Sequence, residues 1–245
     1  MRLFGLLGYP LTHSFSQKYF TEKFHQLGIT DAAYENFAIP DIQELSMILD
    51  SKKELEGFNI TIPYKKAVIR FLDEASEPVQ KMGACNCVKI SNGKLKGFNT
   101  DVVGFQKTLE PFLKPYHQRA LILGTGGASA AVEYVFQQLR IPYRFVSRNE
   151  TADTITYQAL NKDILDTHQL IVNTTPLGMY PNVDACPEIP YQLLTAQHHL
   201  FDLIYNPTET KFLSLGKQQG ATIQNGYDML ILQAEESWRI WNEKS

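Results

Sequence analysis

The sequence of 245 residues lacks a long hydrophobic run, a large excess of one charge sign and a framework of cysteines. A membrane-spanning helix needs about 20 consecutive apolar residues, so we expect no membrane partner. A net charge of −3 at pH 7 gives no basic surface, so we expect no nucleic-acid partner. The three cysteines have no zinc-ligand spacing, and their odd number indicates a reducing compartment. We therefore expect a cytoplasmic protein without a metal centre.

The composition is that of a globular protein, with 44% hydrophobic and 20% charged residues. A length of 245 residues suits one large domain or two small ones. The apolar N-terminus is interrupted by Gly5, Gly8 and Pro10, and it predicts a buried strand rather than a signal peptide. Cys85 and Cys87 flank a single residue, but no second cluster of ligands supports a metal or redox pair.

Residues 119–149 predict a strand, a glycine turn, a helix and a second strand. The turn contains Gly124 and Gly126, the first two glycines of the dinucleotide fingerprint, whereas Ser129 stands at the third place. Glycines let the backbone approach a pyrophosphate, and the following helix N-terminus favours its negative charge. The segment predicts a Rossmann-like dinucleotide site, and a tight connection without a ligand is the alternative.

Ser147, Arg148 and Asn149 end the second predicted strand, where a dinucleotide site distinguishes its cofactors. An NAD site places an acidic residue there, but the first acid in this chain is Glu150. The planar guanidinium of Arg148 suits a 2′-phosphate. This segment favours NADP over NAD, and a solvated loop arginine is the alternative.

Two serines, Ser14 and Ser16, stand at the start of a predicted helix whose apolar face contains Phe20 and Phe24. A helix N-terminus attracts anions, so the two hydroxyls could bind a carboxylate or a phosphate. The alternative is a structural capping box formed by Ser14 and Gln17.

Alternation over residues 58–62 predicts a strand with an apolar face and with Asn59 and Thr61 on the opposite face. Pro63 suits the first turn of a following helix, which would place Lys65 in that turn. A lysine there is unfavourable for the helix dipole, which strengthens the case for a functional lysine, and a plain surface lysine is the default alternative.

Three polar residues stand at unusual places in later predicted elements. Asn86 lies in the middle of a strand predicted over residues 83–90, where asparagine is depleted, so we expect it to face a ligand. Asp101 precedes a helix predicted from about Val102, where it is either an N-cap or a site residue. Gln233 lies inside an apolar terminal helix, where it either packs against backbone or faces a ligand.

Together these segments resemble the shikimate dehydrogenase family. The matching motifs are spread over the whole chain and lie at residues 14–16, 59–65, 83–86, 99–101, 124–129, 147–149, 202–205 and 226–233. The resemblance implies the reversible reduction of 3-dehydroshikimate to shikimate with NADPH, a step toward chorismate and the aromatic amino acids. The variant glycine turn of that family also explains why the third glycine is missing.

The resemblance implies a role for individual motif residues. Lys65 is expected to be the general acid/base and to pair with Asp101. The residues expected to bind substrate are Ser14, Ser16, Thr61, Asn86, Asp101, Tyr205 and Gln233. The residues expected to bind NADP are Gly124, Thr125, Gly126, Gly127, Ala128, Ser147, Arg148, Asn149, Leu203 and Gly226.

The chain departs from the family pattern at a few positions. Cys87 replaces a threonine, and Val102 replaces a glycine. Ser147 and Asn149 replace the asparagine and threonine of the phosphate clamp. Each polar position that the resemblance assigns to the substrate is kept.

The implied fold is a two-domain α/β architecture. Residues 1–101, completed by 226–245, form an N-terminal α/β substrate domain, and 102–225 form a Rossmann-like NADP-binding domain. The C-terminal helix returns to the first domain, and the protein is a monomer or a homodimer. The alternatives are an enzyme of the same fold that prefers quinate or NAD, and a nucleotide-binding module without catalysis.

Overall fold

The chain folds into two compact units and passes between them twice, each time within a helix. The computed structural model describes residues 1–11 and 15–243. One unit comprises Met1–Thr100 with Ala234–Ser245, and the other comprises Asp101–Gln233. The predicted domains, 1–101 with 226–245 and 102–225, differ from these units by one residue at the first boundary and by eight at the second.

Six strands form the sheet of the first unit. Their bounds are β1 (Arg2–Gly8), β2 (Ala32–Ala38), β3 (Leu55–Ile60), β4 (Glu74–Ala75), β5 (Cys87–Ser91) and β6 (Lys94–Phe98). Their spatial order is β2-β1-β3-β5-β6-β4, with β1 parallel to its neighbours and β5 antiparallel to both of its own. The helices of this unit are α1 (Phe15–Gln26), α2 (Leu45–Ser51) and α3 (Glu77–Met82).

Both faces of this sheet are buried, as the two-residue period of β1 shows. Leu3 and Leu7 join one hydrophobic cluster, whereas Phe4 and Leu6 join a second cluster on the opposite face. The second cluster also receives the apolar face of α1, and Phe20 stacks there on an aromatic ring of β2 at 4.6 Å between ring centroids.

The β5–β6 connection is the hairpin that the sequence predicts. Asn92 and Gly93 have φ angles of 51° and 75°, in the left-handed region that a tight two-residue hairpin turn requires. The alternation predicted for residues 58–62 is confirmed only as far as Ile60, where β3 ends. Ile62 lies beyond the strand and is 69% exposed.

Six parallel strands form the sheet of the second unit. Their bounds are β7 (Ala120–Leu123), β8 (Tyr143–Ser147), β9 (Thr154–Thr156), β10 (Leu170–Asn173), β11 (His199–Asp202) and β12 (Thr222–Gln224). The helices are α4 (Thr100–Leu109), α5 (Ser129–Gln138), α6 (Lys162–Thr167), α7 (Lys211–Gln218) and α8 (Tyr227–Asn242), and α4 and α8 continue into the first unit.

The predicted strand–helix–strand unit is confirmed as β7, α5 and β8. The strand order is β12-β11-β10-β7-β8-β9, so the chain leaves β7 on one side and returns on its other side with β10. Such a switch point is where open parallel sheets bind ligands, at the carboxyl ends of the strands. The Rossmann-like fold is therefore confirmed. None of the helices in the described part of the chain has both the length and the apolar character of a membrane span.

Candidate functional site

The serine pair is described in part, because Ser14 lies outside the described residues. Ser16 lies in the first turn of α1, and its hydroxyl hydrogen-bonds the phenol of Tyr34. Tyr34 itself donates to Asn59 Oδ1 at 3.0 Å, so Ser16 is the donor in its pair with Tyr34. Burial raises the pKa of Tyr34 well above its ordinary value, which keeps this phenol protonated.

The placement of Lys65 in a first helical turn is wrong. Residues 62–63 and 65–66 form turns, and the next helical segment is the 3-10 helix Ala67–Phe71. Tyr64 determines this local structure, because its backbone N–H bonds to Thr61 and its buried phenol donates to Ile39 O at 2.6 Å. Lys65 is half-buried beside that anchor. Lys65 therefore does not lie in the first turn of an α-helix, and a helix dipole does not disfavour its charge there.

Asn86 lies immediately before β5, not in the middle of a strand, because residues 77–82 form α3 and the chain turns at Gly83 with a φ of 61°. Its Oδ1 accepts from the Thr100 backbone N–H at 2.7 Å and from the Thr100 hydroxyl at 3.2 Å. A backbone N–H can only donate, so the atom that faces Thr100 must be the amide oxygen. Asn86 Nδ2, a donor, therefore lies on the side of the amide that faces away from Thr100.

A buried network of neutral groups connects Asn86 to Tyr34, and we call it the amide network. Asn59 Nδ2 donates to Ser237 Oγ at 2.8 Å and to the Asn86 carbonyl at 3.2 Å. Ser237 Oγ lies 3.3 Å from the Thr100 hydroxyl. Through Tyr34 the network reaches Ser16, so it supports two of the residues predicted to bind substrate.

Asp101 belongs to the second unit and lies within the first turn of α4. The alternative of an N-cap at Asp101 is wrong, because the helix begins at Thr100. The cap of that helix is Asn86 Oδ1, which accepts from the Thr100 N–H. Asp101 is half-buried and provides an acidic group one residue into the helix.

The glycine turn has one crowded and two open positions. Gly124 has a φ of 99°, and an added Cβ would lie 2.7 Å from Thr175 Cγ2, so no other residue fits. At Gly126 and Gly127 an added Cβ would meet nothing within 4 Å. The α5 N-cap, Ala128, makes no side-chain cap. The open backbone and the helix N-terminus fit a dinucleotide pyrophosphate.

The predicted phosphate clamp follows β8. Ser147 ends the strand and accepts from the Asn149 N–H at 3.3 Å, and Arg148 and Asn149 are exposed. The exposed guanidinium of Arg148 is therefore accessible to a phosphate. Thr125 and Ala128, which are also predicted to bind cofactor, lie in the glycine turn before α5.

Leu203, Tyr205 and Gly226 lie close together after β11. Leu203 N–H donates to Asn173 O at 3.1 Å, and Gly226 N–H donates to Ile204 O at 3.0 Å. A Cβ on Gly226 would lie 2.2 Å from Leu203 O, so this close approach requires glycine. Tyr205 is exposed beside these residues.

Gln233 is buried on α8 at a close helix contact. Its Nε2 donates to Leu230 O at 3.0 Å, so part of its amide is satisfied by backbone. An added Cβ on Gly104 would lie 3.1 Å from Gln233 Cβ, which requires a small residue on α4.

Three buried polar residues next to these positions have no role predicted from the sequence: Tyr34, Ser237 and Asp202, of which Asp202 lies in the motif at 202–205. Each of them hydrogen-bonds a partner that is distant in the sequence. The only local signal is a polar residue next to buried apolar neighbours, and it is clearest for Asp202, which ends the run Leu200–Phe201. Within residues 1–11 and 15–243, no group of three His, Cys, Asp or Glu residues is placed to hold a metal ion.

Comparison with known proteins identifies the family. The profile of the shikimate dehydrogenase substrate-binding domain matches residues 6–88. The shikimate dehydrogenase (NADP⁺) of Methanococcus maripaludis strain C6 is 37% identical over 260 residues, covering 99% of this chain and 92% of the relative. The chain belongs to the shikimate dehydrogenase family.

Two solved structures resemble this chain over nearly its full length. The Thermus thermophilus shikimate 5-dehydrogenase in complex with NADP(H) and shikimate has a TM-score of 0.86 at 29% identity, covering 99% of this chain and 94% of that one. The 5-ketofructose reductase of a Gluconobacter strain has a TM-score of 0.84, also at 29% identity, covering 100% of this chain and 94% of that one. Both cover nearly the full length of this chain.

Proposed function

We propose that this enzyme catalyses the reversible NADPH-dependent reduction of 3-dehydroshikimate to shikimate, a step toward chorismate and the aromatic amino acids. The chain belongs to a family of NADP-dependent dehydrogenases with that activity. The observation that carries the proposal is the open backbone at Gly126 and Gly127 before α5, at the switch point of a parallel sheet. The substrate is a small carboxylic acid with ring hydroxyls, which suits the neutral donors Ser16, Thr61 and Asn86.

We propose Lys65 as the general acid/base and Asp101 as its partner. NADPH supplies a hydride to the ring ketone when it is bound, and negative charge then develops on the ketone oxygen. A positioned acid that donates a proton to this oxygen accelerates the reaction by about 10²- to 10⁴-fold. An ammonium group can donate that proton and, in the reverse direction, its amine can accept it.

Substitution of Lys65 tests this role. Lys65→Ala should lower kcat by about 10²- to 10⁴-fold and change the KM for shikimate little, because the proton transfer is lost and most binding contacts remain. Lys66→Ala, at the exposed neighbouring lysine, is the matched control and should keep wild-type kcat. Unchanged turnover in Lys65→Ala would exclude the assignment.

We propose that Arg148 binds the 2′-phosphate of NADP. Its support is the exposed guanidinium at the end of β8 and the absence of an acid before Glu150. Arg148→Ala should raise the KM for NADP⁺ by about tenfold or more and leave the KM for NAD⁺ nearly unchanged, because one charge-assisted bond is lost. Arg144→Ala, at an exposed arginine of the same strand, is the control. Equal effects on both cofactors would contradict the assignment.

The 5-ketofructose reductase that matches the full chain favours a second substrate class, a keto sugar. Cofactor absorbance with shikimate, quinate and 5-ketofructose, each with NADP(H) and NAD(H), separates the candidates. Turnover of shikimate with NADP⁺ would support the proposal. Turnover of quinate alone or of the keto sugar alone would contradict the proposed substrate, shikimate. Cofactor binding without turnover would indicate a binding module.

Oligomeric state and location stay predictions. We propose a monomer or a homodimer in the cytoplasm, and light scattering of the purified chain distinguishes the two assemblies. A small-molecule substrate agrees with the ligand-bound structure of the Thermus relative.

A further inference from the structure

A single carboxylate lies behind the ligand edge of the second unit. Asp202 ends β11 and is completely buried. Its Oδ1 accepts from Asn173 Nδ2 at 3.1 Å and from the Ile204 backbone N–H at 3.1 Å, and its Oδ2 accepts from the Thr210 hydroxyl at 2.6 Å. We call Asp202 and these donors the carboxylate network. An acidic group is expensive to bury, so its presence in a core calls for a specific reason.

In one direction the carboxylate network reaches the glycine turn. Asn173, whose Nδ2 is held by Asp202, accepts at Oδ1 from the Thr175 backbone N–H at 3.0 Å and from the Thr175 hydroxyl at 2.7 Å. The Thr175 methyl group is the atom that an added Cβ on Gly124 would strike. Two hydrogen-bonded residues therefore connect Asp202 to the backbone that is proposed to receive the pyrophosphate.

In the other direction the network holds both ends of the segment 203–210. Asp202 accepts from Ile204 near its start and from Thr210 at its end, and Thr210 is also the N-cap of α7. The segment carries Leu203 and Tyr205, the residues predicted to contact cofactor and substrate. The Asp202 side chain and its hydrogen-bonded neighbours thus connect the carboxyl ends of β7, β10 and β11.

We propose that Asp202 is a positioning residue that holds the segments 173–178 and 203–210 against the glycine turn and so sets the affinity for NADP. This proposal rests on the proposed function. Asp202 acts through its neighbours, because it is fully buried and hydrogen-bonds to Asn173, Ile204 and Thr210. A carboxylate can accept at both oxygens, whereas an amide offers only one acceptor.

Protonation of this carboxyl group provides an independent readout. Burial raises the pKa of Asp202 to about 6, against the lowering effect of its hydrogen-bond donors. Tyr191 is a titratable group that interacts electrostatically with Asp202, and its hydroxyl donates to Pro187 O. The charged neighbours of Thr210 are engaged elsewhere, Glu209 with Lys217, and Lys211 with the Asp184 carbonyl.

The test measures NADP⁺ binding by calorimetry in the full chain. Asp202→Asn and Thr210→Val should each raise the Kd by about five- to tenfold, because a charge-assisted bond is weakened or lost, whereas Thr210→Ser should restore binding. Asp163→Asn, at an exposed aspartate of α6, is the control for the substitution itself. Below pH 6 the ratio of Kd between Asp202→Asn and wild type should fall toward one, because the wild-type carboxyl becomes neutral.

The comparison of variants at each pH removes the titration of the NADP phosphate, which is common to both proteins. Lower thermal stability in Asp202→Asn with an unchanged Kd would reduce Asp202 to a structural residue and overturn the proposal. A ratio of Kd that stays constant from pH 7.5 to 5 would also overturn it. Failure of the wild-type chain to bind NADP⁺ would instead refute the proposed function, so the two failures are distinguishable.

Discussion

The two units support their predicted ligand-binding residues with buried polar networks of different chemistry. Each unit buries a hydrogen-bonded network next to residues predicted to bind ligand. The amide network of the first unit is neutral, whereas the carboxylate network of the second unit contains the ionisable group of Asp202. Asn59 and Ser237 satisfy one another without charge. Asp202 instead places an ionisable group at zero exposure. The amide network therefore holds its protonation state across the physiological pH range, whereas the carboxylate network can change its own.

The cost of each arrangement follows from the atoms that meet. In the amide network Asn59 presents two donors and one acceptor to matching partners. Neutral hydrogen bonds of this kind contribute about 1 kcal/mol each, and an unmatched buried group costs about 1 to 3 kcal/mol. A buried carboxylate loses its hydration, and only strong donors compensate that loss. The buried charge of Asp202 therefore lowers the stability of the second unit, and protonation of the carboxylate removes this destabilisation.

Introduction of a charge into the amide network should give the largest effect. Asn59→Asp replaces a donor by an oxygen that faces the Asn86 carbonyl at 3.2 Å. An uncompensated buried charge costs about 3 to 5 kcal/mol, so the free energy of unfolding at pH 7 should fall by about that amount. Urea unfolding measures it, and Asn92→Asp on the exposed hairpin is the control.

Acidification should restore part of that loss, because burial raises the pKa of the introduced carboxyl and the neutral acid can donate to Asn86. The difference in unfolding free energy between Asn59→Asp and wild type should therefore shrink between pH 7 and 4. A loss of less than 1 kcal/mol at pH 7 would show that the amide network tolerates charge, and the contrast between the units would disappear.

Removal of the charge from the carboxylate network should give a pH-dependent effect of about 3 kcal/mol. The folded-state pKa of Asp202 is raised from 3.8 to about 6. Folded protein then binds more protons than unfolded protein between these values, so the stabilising effect of protonation is lost as pH rises through 6. Relative to wild type, the free energy of unfolding of Asp202→Asn should therefore rise by about 3 kcal/mol between pH 3 and 7, since each pKa unit is worth about 1.4 kcal/mol.

The difference between variant and wild type is the quantity to measure, because another group titrates in the opposite sense. His199 begins the same strand, and burial lowers its pKa to about 4. Its contribution to stability is present above pH 6.5 and lost as pH falls toward 4. It cancels in the difference. Hydrogen exchange of the β10 and β11 amides follows the second unit alone, and a difference independent of pH would contradict the raised pKa.

Local patterns in the sequence predict the strands and turns of both units better than the buried side-chain hydrogen bonds that hold the site residues in place. The glycine turn and its flanking strands are short-range features, because φ at Gly124 and the buried run of β7 are determined within a few residues. Lys65 was misplaced because its turn depends on Tyr64, whose phenol bonds to Ile39, 25 residues away. Such a partner leaves no trace in local periodicity.

The same reason explains why the sequence includes Asp202 in the motif at 202–205 but predicts no role for it. Its partner Asn173 is 29 residues away, and only the pairing of β10 with β11 brings them together. The motif residues with direct ligand roles were recognised through the family resemblance, and their assignments stay predictions. Residues that act on them from behind require the three-dimensional structure.

A hydroxyl deletion should give the smallest effect and sharpen the comparison within the first unit. Ser237→Ala removes the acceptor that lies 2.8 Å from Asn59 Nδ2, so the free energy of unfolding should fall by about 1 to 2 kcal/mol. The matched control is Ser76→Ala, because Ser76 Oγ is buried and finds no hydrogen-bond partner among the described residues. Its deletion should cost nothing or stabilise. Equal urea midpoints for the two variants would mean that the amide network contributes no more than an isolated buried hydroxyl.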